Sequence, residues 1–169
     1  MSRILVVYYS LTGHTAQVAR AIAERCGAEL EPVREQRPRR GFRGLFRSAA
    51  DMLTARRVAL EPPGHDPAGY DLVVLGTPVW AARVSSPMRS WLIEHAADCE
   101  RVAFFCTEGG SGGERMFERM QTLCGQVPVA TLIVTEQDLR EQRYARRLAA
   151  FVDGIGTRRS TGPEASVAS

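Results

Sequence analysis

The residues best suited to chemistry lie in one short segment near the N-terminus, Ser10–Thr15. Hydroxyl side chains occupy positions 10, 12 and 15, with a glycine at position 13. The segment follows an apolar run, Ile4–Tyr9, and precedes an apolar periodicity that begins at Ala16, so we predict a loop between a buried strand and a helix. A helix N-terminus exposes unpaired backbone N–H groups, and glycine lets a ligand approach the backbone closely. The segment therefore predicts an anion site, suited to a phosphate.

Two later segments of unusual composition also follow apolar runs. Tyr70–Gly76 predicts a buried strand that leads into a long loop, Thr77–Ser86, and Arg101–Cys106 predicts a strand that leads into Thr107–Gly113. The last of these loops contains four glycines, which would let its backbone N–H groups approach a ligand. Ligands of open α/β sheets bind beyond the carboxyl ends of the strands. We therefore expect the three loops to meet at one edge of a sheet.

The elements that would position these loops alternate between strand and helix along residues 1–155. The remaining predicted strands are Ala28–Val33 and Val127–Thr135, and the predicted helices are Gly13–Arg25, Phe42–Arg57, Pro87–Ala97, Glu114–Cys124 and Leu139–Gly154. The strands are continuously apolar, which is typical of a parallel sheet covered by helices on both faces. This pattern predicts one doubly wound α/β domain, followed by a small, polar and disordered tail over residues 156–169.

Composition excludes several classes of function. The chain has 169 residues, 44% of them hydrophobic, and a net charge of +3. All of its basic side chains are arginine, so mechanisms that need a Walker lysine or a lysine Schiff base are excluded. We expect no metal site, because the four cysteines and three histidines do not have ligand spacing. We also expect no signal peptide, no membrane span and no nucleic-acid partner, and a cytoplasmic location with reduced cysteines.

Two hydrolytic interpretations are disfavoured by the spacing of the nucleophile. A cysteine phosphatase would need Cys106 to be followed by a phosphate-binding loop that ends in arginine, but the first downstream arginine is Arg115, inside a predicted helix. Ser10 is not in a GxSxG sequence, which disfavours a serine hydrolase. Residues 34–47 are rich in arginine and run into the predicted helix Phe42–Arg57. This stretch is either a solvated helix face or a docking surface for an acidic partner or nucleotide.

Two motifs carry a resemblance to a known family. Ser10-x-Thr-Gly-x-Thr15, directly after an apolar strand, resembles the phosphate loop of flavodoxin-like FMN proteins. The segment from Gly76 to Leu92 is similar to the GTPxW…PxRxxL segment of flavodoxin-like quinone and FMN reductases. The resemblance implies a five-stranded flavodoxin-like sheet of order 2-1-3-4-5 that binds FMN non-covalently. It places the cofactor against Ser10, Leu11, Thr12, Gly13, His14, Thr15, Thr77, Pro78, Val79, Trp80, Ala81, Thr107, Glu108, Gly109, Gly110 and Gly113.

Within that site, Trp80 is the aromatic residue that could pack on the isoalloxazine ring, whereas Trp91 is expected in the core. His14 is either a proton donor or ribityl contact, or an incidental exposed side chain. The resemblance implies that the flavin carries the chemistry, so no side chain is assigned as catalytic.

Three functions remain open on this basis. The first is an FMN-dependent oxidoreductase that passes electrons from NAD(P)H to a quinone or similar acceptor. The second is a one-electron carrier with a redox protein as donor, and the third is an interaction scaffold without flavin. Arginines near the second loop, Arg83 and Arg89, would favour the enzyme if they face the flavin, because positive charge stabilises an anionic reduced flavin and attracts NAD(P)H phosphates. Related reductases are often homo-oligomers, and the predicted helix with Phe42 and Phe46 is a candidate contact.

Overall fold

A computed structural model describes residues 2–36 and 57–156. Its strands are β1 (Ile4–Tyr8), β2 (Glu29–Pro32), β3 (Leu72–Trp80), β4 (Arg83–Val84), β5 (Val102–Glu108) and β6 (Thr131–Thr135). Its α-helices are α1 (His14–Cys26), α2 (Ser86–His95), α3 (Gly113–Cys124), α4 (Glu136–Glu141) and α5 (Ala145–Gly156), and short 3₁₀ turns span Pro67–Gly69 and Ala96–Asp98. No helix in these two ranges has the length and apolar character needed to cross a membrane.

The strands form a parallel sheet in the order β2-β1-β3-β5-β6, and the short β4 pairs antiparallel with the end of β3. Counted without β4, this is the predicted order 2-1-3-4-5, so the predicted fold is confirmed. The central strands are apolar throughout because both of their faces are covered. All seven residues of β5 are buried.

Helices cover the sheet on both faces and give the protein two apolar layers. One layer contains Met88 and Trp91 of α2 with Met116 of α3, and the other contains Ile22 of α1 with Phe151 of α5. Trp91 is 3% exposed, which confirms the prediction that it belongs to the core. Because the two layers pack against the sheet and hold its strands in place, the loops that follow the strand ends have fixed positions.

The predicted loop Thr77–Ser86 is wrong over its first part. β3 continues through Thr77 to Trp80, pairs with β5 as far as the partners Pro78 and Thr107, and then turns back as a hairpin into β4. Proline favours a loop prediction because it cannot donate a ladder hydrogen bond, but it is tolerated near the end of a strand. Extension of β3 places Trp80 beyond the main part of the sheet.

The single predicted helix Leu139–Gly154 is also wrong, because two helices occupy this region. Thr135 begins α4 with a capping box, in which its hydroxyl accepts from the backbone N–H of Asp138 and the Asp138 carboxylate accepts from the backbone N–H of Thr135. Gln142, with φ of +51°, ends α4 in the left-handed conformation. Arg147 of α5 forms an ion pair with Asp138 at 2.5 Å and ties the two helices together.

Other boundaries shift by a few residues. The last strand is shorter than the predicted Val127–Thr135, and α5 extends to Gly156. Gly27, with φ of +63°, ends α1 in the left-handed conformation that favours glycine. The predicted helix Phe42–Arg57 except for its last residue, most of the arginine-rich stretch and the tail after Gly156 lie outside the described residues.

Candidate active site

The loop between β1 and α1 is organised by one serine hydroxyl. Ser10 Oγ accepts hydrogen bonds from the backbone N–H groups of Gly13 at 3.1 Å and Ala16 at 3.2 Å. Gly13 has φ of +97°, a conformation that residues with a side chain rarely adopt. Ser10 and Gly13, both predicted to contact a ligand, therefore stabilise the conformation of the loop.

The organised loop leaves several backbone donors open. In the part of the chain that the structure describes, the N–H groups of Leu11, Thr12 and His14 donate to no protein acceptor. Ser10 Oγ accepts from Ala16 in the first turn of α1, but the N-cap residue Gly13 supplies no side-chain cap, and no acidic residue lies in that turn. The positive end of the helix dipole is thus available to an anion. These features fit a phosphate group.

Thr15 links this loop to the third predicted loop. Its hydroxyl lies 2.7 Å from the hydroxyl of Thr107, and the two side chains are 1% and 5% exposed. Sequence analysis placed both hydroxyls in a ligand site, but the structure shows them hydrogen-bonded to each other across 92 positions of sequence. Both residues still line a cleft between the loops.

The side chain of Thr77 makes hydrogen bonds within the fold. It is fully buried, and its hydroxyl lies 2.8 Å from that of Ser85, at the residue before α2. It also accepts from the Ser85 backbone N–H at 3.3 Å. Thr77 thereby fixes the hairpin and the start of α2, and its side chain lines neither of the clefts described below.

Trp80, the last residue of β3, forms one wall of a cleft between the loops. The Tyr9 and Trp80 rings contact each other at a centroid distance of 5.9 Å and an interplanar angle of 89°. The Tyr9 hydroxyl donates to the buried Glu35 carboxylate at 3.0 Å. The half-buried Trp80 ring is therefore backed by a buried tyrosine–glutamate pair, in an edge-to-face geometry that stabilises aromatic pairs.

The hairpin tip approaches the glycine-rich loop. Ala81 and Ala82 connect β3 to β4 with φ of +50° and +56°, a pattern of a type I′ turn that usually contains asparagine and glycine. A Cβ atom added to Gly112 would lie 3.0 Å from both Cα and Cβ of Ala82. The two segments can approach this closely only because position 112 is glycine.

Two clefts result from this convergence. The first has a volume of about 150 Å³ and is lined by Leu11, Thr12, His14, Thr15, Pro78, Val79, Trp80, Thr107, Glu108, Gly109 and Glu136. The second, of about 690 Å³, is lined by Ala81, Ala82, Glu108, Gly110, Ser111, Gly112, Gly113, Glu114, Arg115 and Ile133. Glu108 borders both clefts. The structure therefore brings together most of the residues predicted from the three loops.

The charge around the clefts differs from the sequence-based expectation. Arg83 and Arg89 line neither cleft, whereas Glu108 and Glu136 line the first one, with His14 3.9 Å from Glu136. The second cleft adds one acidic and one basic side chain. Arg83 and Arg89 therefore do not supply the positive charge at the clefts that would favour a two-electron enzyme.

Cys106 is unsuited to nucleophilic catalysis. The thiol is fully buried in β5, and burial, followed by the nearby charges of Glu108 and Glu114, raises its pKa far above the usual range. A phosphatase needs the thiolate. Among the described residues, no group of three or more His, Cys, Asp or Glu side chains is placed to hold a metal ion.

Sequence analysis missed Glu136 and the Tyr9–Glu35 pair. Glu136 follows β6 directly, and the rule that selected the other strand-end loops would have found it. No sequence signal identified Glu35, because its partner is set by the pairing of residue 35 with Leu60 beside the sheet.

Comparison with known proteins places the chain among flavoproteins. It is 33% identical over 92 residues to an NAD(P)H dehydrogenase (quinone) of Cupriavidus metallidurans, a match that covers 54% of this chain and 46% of the relative. The chain thus spans less than half the length of that curated relative.

Solved structures share the fold. A flavoprotein in complex with FMN from Lactobacillus acidophilus matches with a TM-score of 0.67 and 19% identity, over 83% of this chain and 98% of the other. A flavodoxin, WrbA-like protein from Agrobacterium tumefaciens matches with a TM-score of 0.54 and 18% identity, over 90% and 96% of the two chains. The sequence model of the flavodoxin family matches residues 3–148, nearly the whole of the domain, and the protein therefore belongs to the flavodoxin family.

Proposed function

We propose that the protein is an FMN-dependent oxidoreductase that takes electrons from NAD(P)H and delivers them to a quinone or similar acceptor. The observation that carries the proposal is the cleft at the carboxyl ends of the strands. It combines open N–H groups at the start of α1 with the Trp80 wall and a glycine-rich loop. An anion site, an aromatic side chain and an amide-lined edge match the phosphate, the ring and the polar ring edge of flavin mononucleotide.

The residues divide by the part of the cofactor they would hold. The amides of Leu11, Thr12 and His14 would bind the phosphate, and the backbone around Gly109 would face the ring. Packing of Trp80 on the ring would contribute about 0.5–1.5 kcal/mol beyond its burial. When bound, FMN supplies hydride and one-electron transfer chemistry, and the protein positions and tunes it.

The relatives support the same assignment. The Cupriavidus metallidurans protein is named as a dehydrogenase of NAD(P)H and a quinone, and the Lactobacillus acidophilus flavoprotein was solved in complex with FMN. Family membership supports FMN as the cofactor of this chain. The electron donor and acceptor are proposals, because the match to the named dehydrogenase covers about half of each chain.

A second candidate is a one-electron carrier that exchanges electrons with another redox protein. The acidic residues at the clefts favour it, because Glu108 and Glu136 would disfavour an anionic reduced flavin. The enzyme and the carrier share the FMN site and differ in whether NAD(P)H reacts directly.

The decisive experiment follows the visible spectrum of the purified protein during titration with FMN and then with NADPH or NADH without oxygen. Saturable FMN binding followed by rapid bleaching supports the oxidoreductase. Binding without bleaching, and chemical reduction in two resolved one-electron steps, supports the carrier. No change in the spectrum or in flavin fluorescence at any FMN concentration would refute both.

Replacement of a single hydroxyl tests the phosphate position. Thr12 is exposed at the first cleft, and we expect Thr12→Val to weaken FMN binding while the melting temperature stays unchanged. Thr122→Val is the matched control, since Thr122 is exposed on α3 and lines neither cleft. Equal FMN affinity in both variants would remove Thr12 from the site.

A further inference from the structure

A third cleft lies beside β2, the strand at one edge of the sheet, and shares no lining residue with the two clefts described above. Here residues 60–64 run antiparallel to residues 31–35. The Glu61 N–H donates to the Arg34 carbonyl at 2.9 Å, and the Gly64 N–H donates to Oε1 of Glu31 at 3.1 Å. With Trp91 of α2, these segments line a cleft of about 300 Å³, at the lower end of the range of small-ligand sites. We call it the edge cleft.

Trp91 brings a buried donor without an acceptor to the lining of the edge cleft. The residue is 3% exposed, and its Nε1 has no hydrogen-bond partner among the described residues. A buried tryptophan N–H usually has a partner, because leaving a buried donor unpaired is destabilising. Since Trp91 lines the edge cleft, the acceptor atom of a ligand bound there would supply the missing partner.

The charged residues of the edge cleft differ in how they are paired. Both carboxylate oxygens of Glu31 are engaged within the fold, Oε1 by a backbone N–H and Oε2 by His65 Nδ1 at 2.6 Å. Arg34 and Glu61 are exposed, and neither side chain forms an ion pair with the described residues. Two donors, the buried Trp91 N–H and the Arg34 guanidinium, therefore remain open to a ligand, against a single exposed carboxylate.

Most of the remaining lining of the edge cleft is apolar and consists of Leu30, Pro32, Val33, Leu60, Pro62 and Pro63. We propose that the edge cleft binds a small aromatic carboxylate. The ring packs on the apolar lining, one carboxylate oxygen accepts from the Trp91 indole N–H, and the negative charge faces the Arg34 guanidinium. This site is separate from the proposed flavin site and does not depend on FMN.

The test titrates the full-length protein with benzoate and follows the indole N–H signals by ¹H–¹⁵N NMR. The chain contains two tryptophans, and Trp80→Phe identifies the signal that belongs to Trp80. We expect benzoate to move the Trp91 signal downfield in a saturable way, because a new hydrogen bond deshields the proton. Benzamide keeps the ring and a carbonyl acceptor but carries no charge. It should bind about 2- to 5-fold more weakly, as expected for the loss of an exposed ion pair.

Three variants test the charge of the site, with affinities measured by calorimetry. Arg34→Gln should weaken benzoate binding about 2- to 5-fold and leave benzamide binding unchanged. Glu61→Gln should strengthen benzoate binding, because it removes a like charge from the lining. Arg25→Gln is the matched control, since Arg25 is exposed on α1 and lines none of the three clefts. Far-UV circular dichroism verifies that all three variants fold.

The NMR titration of the wild-type protein decides the proposal even if a variant fails to fold. A Trp91 signal that does not move at any soluble benzoate concentration overturns it, and so does a movement confined to the Trp80 signal. Equal benzoate affinities in Arg34→Gln and Arg25→Gln would also overturn it. A saturable shift of the Trp91 signal, with weaker binding only in Arg34→Gln, supports the site, and none of these results bears on FMN binding.

Discussion

The buried hydrogen bond between Tyr9 and Glu35 provides the sharpest test of how the wall of the site is built. Tyr9→Phe removes only the hydroxyl that donates to Glu35 at 3.0 Å and keeps the ring that packs perpendicular to the Trp80 ring. Tyr9 is 6% exposed and Glu35 is 5% exposed, so water cannot readily replace the lost donor. The expected effect is therefore on the free energy of unfolding.

The size of the expected loss in the free energy of unfolding depends on the burial and the charge of the hydrogen-bond acceptor. A hydrogen bond to a charged group contributes about 1.5–3 kcal/mol, and burial places this one toward the upper part of that range. We expect Tyr9→Phe to lower the free energy of unfolding by about 2–3 kcal/mol. Urea unfolding followed by circular dichroism measures the loss, and an m value equal to that of the wild type would show that the variant exposes the same amount of surface on unfolding.

Tyr70→Phe is a matched control within the same chain. The Tyr70 hydroxyl donates to Glu29 at 2.8 Å, but the Glu29 side chain is 51% exposed and lies away from the clefts. Solvent can replace this bond, so we expect a loss below about 1 kcal/mol. If Tyr9→Phe costs no more than Tyr70→Phe, burial does not strengthen the Tyr9–Glu35 bond and the reasoning is refuted.

Three further changes test other parts of the protein. Gly76→Ala would place a Cβ atom 1.9 Å from the Phe105 ring, so we expect a loss of about 3 kcal/mol in a urea titration; wild-type stability would contradict this packing. Ala81→Asn combined with Ala82→Gly supplies residues that favour positive φ, and should raise stability by about 1 kcal/mol, whereas a lower melting temperature would contradict the turn. Burial alone would raise the pKa of Asp138, but hydrogen bonds from an arginine and from the capping threonine lower it from 3.8 to about 2. Ionised Asp138 therefore contributes about 1–2 kcal/mol to the free energy of unfolding above pH ~4, and this contribution is lost as the pH falls toward ~2. The difference in stability between wild type and Asp138→Asn should disappear over that range. A difference that persists at low pH would contradict the lowered pKa of Asp138.

The elements that sequence analysis located well are those whose signal is local. The apolar runs of β1, β3 and β5 predict buried parallel strands because both faces of such strands are covered. The strand-end rule then places the segments after them at one edge of the sheet. Errors arose where a local signal competed with pairing, as at Pro78, where the partner strand extends β3 through a predicted loop.

Side-chain roles were harder to predict than positions. A hydroxyl at Ser10, Thr15 or Thr77 has the same sequence signature whether it faces a ligand or holds the fold. Its actual partners are two backbone N–H groups for Ser10, the Thr107 hydroxyl for Thr15 and the Ser85 hydroxyl for Thr77. Each partner is fixed only when the loops come together.

The sequence by itself determined the doubly wound α/β fold, the strand order implied by the family resemblance and the three loops that converge. Periodicity and composition encode the fold class and the loops, because burial of a strand or helix face depends mainly on spacing along the chain, whereas the strand order is implied only by the family resemblance. Only the tertiary structure decided which charges border the clefts. Glu108 and Glu136 line the first cleft, whereas the predicted Arg83 and Arg89 do not. The physical reason is distance in sequence, since the hydrogen bonds and charges around a site come from segments that meet only in the folded sheet.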